Sequence, residues 1–215
     1  SPERVDPGNP IWNQSNTPRL VAGLSEEATN RAIEFYSSFC LNVVPVSSPE
    51  VAEAAKLFEN TFRQVNIALV NEFAQITNAL GISVHETLDA AATKPYGFMP
   101  FYPSVGIGGH CIPVDPEYFI TKAQEMGTPI QIAELAGVIN RSLPSHFVKI
   151  AEERLGSLLK KKILVIGIAY KPNVSDIRES AAISLIKLLR EQGAEVQWFD
   201  DLVKGWNGET STSPS

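Results

Sequence analysis

Residues Ser47–Gly81 read SSPEVAEAAKLFENTFRQVNIALVNEFAQITNALG, and this stretch decides the fold. Val51, Ala54, Ala55, Phe58, Phe62, Val65, Ala68 and Leu69 recur at the three- and four-residue spacing of one helical face. Ser47 with Glu50 three residues on forms a candidate capping box, and Pro49 suits the first helical turn. Gly81 supplies the stop. Thirty-odd residues at a 1.5 Å rise make roughly 45–50 Å of helix. That exceeds what one small core can cover, so the helix over 49–80 is expected to support a second subunit, as a homodimer.

On either side of this helix the pattern changes period. Upstream, Arg19–Gly23 reads as a strand, Ser25 as the N-cap of a helix to about Ser38, and Asn42–Val46 as a second strand. Downstream, helices are expected over Val84–Ala92, from an Asp115-Pro116-Glu117 cap to about Met126, over Ile130–Asn140 and over Pro144–Leu155. After Lys160-Lys161-Lys162 comes a buried-type strand, Ile163–Ile166, then an amphipathic helix over Glu179–Gln192 and a strand over Glu195–Phe199. The expected class is mixed α/β: an all-α central domain built on the long helix, flanked by partial Rossmann-like α/β segments. The corresponding boundaries are 1–46, 47–156 and 157–203. Residues 204–215 read as a polar tail.

Composition narrows the function. The 215 residues carry 18 Lys+Arg against 24 Asp+Glu, a net charge of −6 with no basic block, which argues against nucleic acid. Two cysteines and three histidines are too few and too scattered for a disulfide framework or a zinc site. No apolar run is long enough to span a membrane, and no secretion signal is visible, so the expected setting is cytoplasmic. The Ser1–Gly8 start lacks Met and reads as the cut end of a longer chain.

The chemistry concentrates in Pro103–Pro116, PSVGIGGHCIPVDP. Gly106, Gly108 and Gly109 remove side chains, so that a ligand could approach the backbone closely. Cys111 follows, just ahead of a helix N-terminus whose dipole favours a thiolate. Asp115 lies four residues on, near enough to orient water. A buried small Cys is the bland alternative for Cys111, and Cys40, between Phe39 and Leu41, is read as core. His110 adjoins Cys111, and sequence neighbours point apart, so it is read as a satisfied or solvent-facing histidine rather than a base. Lys56 and Asn60 share a helix face, with Lys56 flanked by apolar residues. Glu53, Glu59 and Glu72 read as surface or interface acids. Gly167–Pro172 occupies the place of a phosphate-binding turn but lacks the G-x-G-x-x-G pattern. Lys171 and Arg178 could still meet a diphosphate, and Asp176 could cap the next helix.

Five stretches carry a resemblance to the UDP-glucose/GDP-mannose dehydrogenase family: Ser1–Gly8, Ala54–Asn60, Val65–Glu72, Gly106–Pro116, and Gly167–Pro172 through Asp176–Ser180. They stand in the family's order and cover the chain nearly end to end. The resemblance implies an NAD-binding domain, a helical middle domain that dimerises through a long helix, and a UDP-binding α/β domain. This chain would lack most of the first and part of the third, and alone would not turn over. The implied reaction oxidises the C6 alcohol of a UDP-sugar to a carboxylate with two NAD and one water. By the same resemblance Cys111 forms a thiohemiacetal and then a thioester, Lys56 and Asn60 stabilise the oxyanion, Asp115 handles water, and Glu3 stands near the reacting sugar. Arg4, Lys94, Tyr102, Gly106, Gly108, Gly109, Lys171 and Arg178 become substrate-binding positions, Lys94 by reaching a neighbouring subunit's site.

The Lys94–Pro103 and Gly109–Pro116 runs, with Glu134–Gly137 and Asn140, look most like the branch acting on UDP-N-acetylglucosamine or UDP-N-acetylmannosamine. Pro7 agrees with that branch. Ser104-Val105, where the branch commonly has Gly-Pro, leans toward UDP-glucose 6-dehydrogenases. A surface-polysaccharide role for the uronic acid follows from the family alone. Two other readings stay open: a non-catalytic dimerisation or sugar-nucleotide-binding module, and a cysteine hydrolase, which lacks a persuasive base.

Overall fold

A computed structural model describes residues 1–109 and 111–212. Two compact units emerge, Ser1–Asn60 and Thr61–Ser215, the division falling inside the long helix. His110, and Ser213–Ser215 of the expected tail, lie outside the described residues.

In the first unit, β1 (Arg19–Val21) pairs in parallel with β2 (Val43–Pro45) across α1 (Glu26–Ser37). Ser25 caps α1 by accepting the Ala28 N–H, and Glu26 and Glu27 in the first turn suit the helix dipole. Val21 and Cys40 are buried here, so the core reading of Cys40 holds; its thiol donates to the Gln14 carbonyl at 3.4 Å. Arg19 is also buried; its guanidinium lies 5.1 Å over Tyr36 and pairs with Glu3 at 3.0 Å.

α2 runs from Pro49 to Leu80, 32 residues and about 48 Å. Its cap is not Ser47. Ser48 Oγ accepts the Val51 N–H at 3.3 Å, because with Pro49 opening the helix the residue before it is the N-cap. Gly81 closes it at φ +72°, and the Ile82 N–H reaches back to the Thr77 carbonyl.

In the second unit α3 (Val84–Ala92), α4 (Asp115–Glu125) and α5 (Gln131–Leu155) follow. The expected break between Asn140 and Pro144 is absent. Pro144 sits inside α5, buried on the same face as Ala133, Ala136, Gly137, Asn140, Leu143 and Val148. A helix tolerates an interior proline where packing of that face outweighs the lost N–H bond. α4 has no side-chain cap: its N-cap is Val114, and Asp115 already belongs to the first turn.

The last segment pairs β3 (Lys162–Ile166) in parallel with β4 (Glu195–Phe199) across α6 (Ala181–Glu191). Ile186 and Leu189 face inward from α6, and Val196 and Trp198 from β4, onto Val148, Leu158 and Ile168. Contrary to the buried-type reading, Leu164 and Ile166 on β3 are 40% and 70% exposed, since α6 covers only one face of this two-stranded sheet. The expected tail forms structure as well. β5 (Gly205–Trp206) and β6 (Glu209–Thr210) make a hairpin, tied down where Glu209 accepts from Arg190 and from Trp198 Nε1. Polar composition hid it because its anchors, these hydrogen bonds and the packing of Trp206 against Trp198, come from partners outside the segment.

Candidate active site

The glycine run is packed, not open. A Cβ at Gly106 would meet Ala181 Cβ at 2.7 Å, and one at Gly108 the Glu179 carbonyl and Tyr170 Cβ at 2.8 Å each. Gly109, at φ +90°, would strike the Tyr170 ring at 2.8 Å. Its N–H donates to the Arg178 carbonyl at 3.1 Å. The three glycines therefore let the chain's own 170–181 segment approach, where the sequence suggested a ligand.

Cys111 is exposed. The first-turn amides of α4 go to its carbonyl rather than its thiol: Val114 N–H at 3.1 Å and Asp115 N–H at 2.7 Å. Cys111 thus sits in the turn that leads into α4. Asp115 is half-buried in that same turn. Upstream, Asn71 Oδ1 accepts the Ser104 N–H, and the Ser104 hydroxyl donates to the Gly106 carbonyl at 2.9 Å.

Facing the loop, Gly167–Ser180 carries the basic residues. Arg178 is exposed and forked onto Asp176 at 2.6–3.1 Å. The hydrogen bond from Asp176, and then its charge, raise the guanidinium further above its ordinary value, and the Cys111 sulfur is among the groups close enough to add to this. Asp176 is engaged with Arg178 and does not cap α6, whose N-cap Ser180 has no side-chain bond. α6 starts two residues later than expected because Glu179 takes φ +50°. Lys171 Nζ lies 5.7 Å over the Tyr170 ring. Tyr102 donates to Asp89 at 2.7 Å and stacks on His85; Lys94 is exposed beside Tyr96.

Sequence reasoning passed over Asp200, although an acid at the carboxyl end of a strand in a doubly wound sheet is a recognisable signal. It is buried. Oδ2 accepts the Ile168 and Ala169 N–H groups, and Oδ1 those of Leu202 and Val203. Burial pushes its pKa up, but the four amides outweigh burial and hold the carboxyl below the ordinary range. Beside the loop, a cavity of about 280 Å³ is lined by Gln64, Ile107, Pro113, Asn140 and Ser184, and buried Gln64 Oε1 and Asn140 Oδ1 find no partner among the described residues.

The first unit holds the remaining expected positions. Lys56 and Asn60 are half-buried one turn apart on α2. Arg4 forks onto Glu59 at 2.7 and 3.2 Å and reaches the Pro18 carbonyl. Glu3 is partly desolvated, yet the Val5 N–H, Arg19 and the Arg4 N–H together hold it below the ordinary carboxylate value, so it stands as an anion.

Among the described residues, no helix is long and apolar enough to cross a membrane, and no group of three or more His, Cys, Asp and Glu could hold a metal ion.

Two sequence profiles of one family match this chain. The central domain of the UDP-glucose/GDP-mannose dehydrogenase family aligns over residues 50–142, and that family's UDP-binding domain over 164–212. The chain belongs to this family. A UDP-N-acetyl-D-mannosamine dehydrogenase of Pyrococcus horikoshii is 36% identical over 209 residues, 95% of this chain and 49% of the relative. A UDP-N-acetyl-D-glucosamine 6-dehydrogenase of Pseudomonas aeruginosa is 35% identical over 211 residues, 94% of this chain and 49% of the relative. The solved UDP-D-ManNAc dehydrogenase of Pyrococcus horikoshii superposes with a TM-score of 0.84 at 34% identity, again over 95% of this chain and 49% of the other. The chain thus spans about half the length of the relatives it matches, and its mixed α/β architecture is the one they share.

Proposed function

We propose that this chain carries the nucleophile and the nucleotide-sugar end of an NAD-dependent 6-dehydrogenase, acting on a UDP-N-acetylhexosamine. The observation that supports it most is Cys111: an exposed thiol at the head of a helix, beside an arginine, on a loop fixed through its backbone. Exposure lets a sugar carbon reach the sulfur, and a fixed loop limits the entropy lost in reaching it. The thiolate adds to the C6 aldehyde, forming a C–S bond while the carbonyl oxygen takes the negative charge that Lys56 and Asn60 would stabilise. Once C6 is at the acyl level, water held by Asp115 cleaves the C–S bond, giving the carboxylate and returning the thiol. Glu3, anionic by its hydrogen bonds, suits orientation of a hydroxyl rather than proton donation.

The two strand-to-helix turns use several of their backbone amides internally. At the β1–α1 turn, the Gly23 N–H is taken by Thr29 and the Ala28 N–H by Ser25. At the turn after β3, the Ile168 and Ala169 amides are taken by Asp200. These four amides are therefore not open to a diphosphate, and the chain alone is expected not to turn over.

Relatives named for the two N-acetylhexosamines support that substrate class. The Ser104 hydroxyl is occupied by the Gly106 carbonyl, which weakens its use as a marker for UDP-glucose. A homodimer through α2 fits the exposure of Phe62, Leu69, Ile76 and Leu80 along it. The test is NAD reduction by the full-length polypeptide with UDP-N-acetylglucosamine, UDP-N-acetylmannosamine and UDP-glucose, alongside Cys111→Ser. An N-acetylhexosamine is expected to yield two NADH per sugar, with turnover abolished by the substitution. Preference for UDP-glucose would overturn the substrate class, and intact turnover in Cys111→Ser would overturn the nucleophile.

A further inference from the structure

We propose that Tyr170 and Asp200 are positioning residues for Cys111: the carboxylate fixes the turn after β3, the turn fixes the tyrosine ring, and the ring fixes the backbone two residues before the sulfur. The inference rests on the dehydrogenase reading and assigns work to two residues that this reading does not use.

The contacts form one continuous path within the second unit. Asp200, buried at the end of β4, holds the Ile168 and Ala169 amides at 2.9 and 3.1 Å. Ile168 is fully buried, so its amide has no ready solvent substitute for the carboxylate, while Ala169 is half-buried. The next residue is Tyr170, whose N–H closes on the Asp176 carbonyl at 3.0 Å. Its half-buried ring occupies the space a Cβ at position 109 would need, and its Cβ abuts Gly108. Gly109 is held from the other side by its bond to the Arg178 carbonyl.

Cys111 is in turn anchored downstream, through its carbonyl, to the first turn of α4. Two residues of chain span at most about 7 Å. The nucleophile therefore stands on a short bridge between two fixed points, one of them the Tyr170 ring. Glycine at φ +90° has no side chain of its own to hold it there, so the neighbour must. A ring used this way acts on the rate of attack by Cys111 rather than on binding of the nucleotide, since misplacing a reacting atom by about 1 Å can cost up to about 100-fold.

The test compares Tyr170→Ala, Tyr170→Phe and Asp200→Asn by steady-state kinetics of the full-length polypeptide and by hydrogen exchange of the peptide spanning Gly106–Cys111. Tyr170→Ala is expected to lower kcat about 10- to 100-fold with KM within about threefold, and to speed exchange at Gly109. Tyr170→Phe should restore both. Asp200→Asn should move both in the same direction, and its combination with Tyr170→Ala should be no worse than Tyr170→Ala alone. If Tyr170→Ala fails to fold, Tyr170→Leu, which keeps bulk without the flat ring, serves in its place. Unchanged exchange, or faster exchange with unchanged kcat, overturns the proposal. Faster exchange in a protein whose turnover survives Cys111→Ser would leave the loop's support standing and overturn the dehydrogenase reading instead.

Discussion

Replacing Asp200 with Asn keeps shape and volume but removes one of two acceptor oxygens. The native carboxylate serves four backbone N–H groups, two on each oxygen, at 2.9–3.1 Å. An amide can satisfy one pair and must turn its NH2 toward the other. If the oxygen stays on Ile168 and Ala169, the partly exposed Leu202 amide can turn to water while Val203 remains buried. Losing charge-assisted bonds while leaving a buried donor unmet costs on the order of 2–5 kcal/mol. For a chain of this size that lowers Tm by on the order of 10 °C. Unfolding followed through Trp198 and Trp206, which lie in the affected unit, reports it directly. The pH dependence has a fixed sign. The folded carboxyl sits below its unfolded value, so its stabilisation is complete above about pH 4 and is lost as pH falls through the folded pKa. The gap between wild type and Asp200→Asn should be widest near neutrality and close in acid. Equal melting at neutral pH, or a gap unchanged in strong acid, would refute the reasoning.

Gly109→Ala should cost about 1–3 kcal/mol, because it combines a positive φ with a 2.8 Å approach to the Tyr170 ring; urea unfolding checks it. Leu69→Glu, on the exposed stripe of α2, should shift the protein from dimer to monomer in light scattering without loss of helix content. Glu209→Ala should destabilise the hairpin end by about 1–2 kcal/mol, mainly by stripping the acceptor from Trp198 Nε1, with the Arg190 pair adding little because it is partly solvated. A crystal structure should show ordered water on Gln64 Oε1 and Asn140 Oδ1, which line a cavity large enough to hold it.

Much of this architecture is legible in the sequence where local signals and packing agree. The helix at 49–80, the Gly81 stop, the Ser25 cap and the strand at 195–199 all follow from periodicity and end chemistry. The misreadings share a cause: the deciding partner is distant. Pro144 reads as a breaker until the buried face of α5 is counted. The cap of α2 is the exception, since the deciding residue is adjacent: Pro49 opens the helix and makes Ser48 rather than Ser47 the N-cap. The glycine run reads as a ligand cradle because nothing local announces that Tyr170 and Ala181, some 60 to 75 residues on, fill the space. The place of Cys111 just ahead of a helix was legible; the contacts of Tyr170 with Gly108 and Gly109, and of Asp200 with the turn after β3, were not, since they are long-range.

The most direct measurement is peptide mass mapping of the full-length polypeptide, acid-quenched during turnover of UDP-N-acetylglucosamine or UDP-N-acetylmannosamine with NAD. The account predicts a sugar-acyl adduct on the Cys111 peptide, more abundant in Asp115→Asn, where hydrolysis slows. An unmodified Cys111 peptide, with turnover that continues in Cys111→Ser, would contradict it.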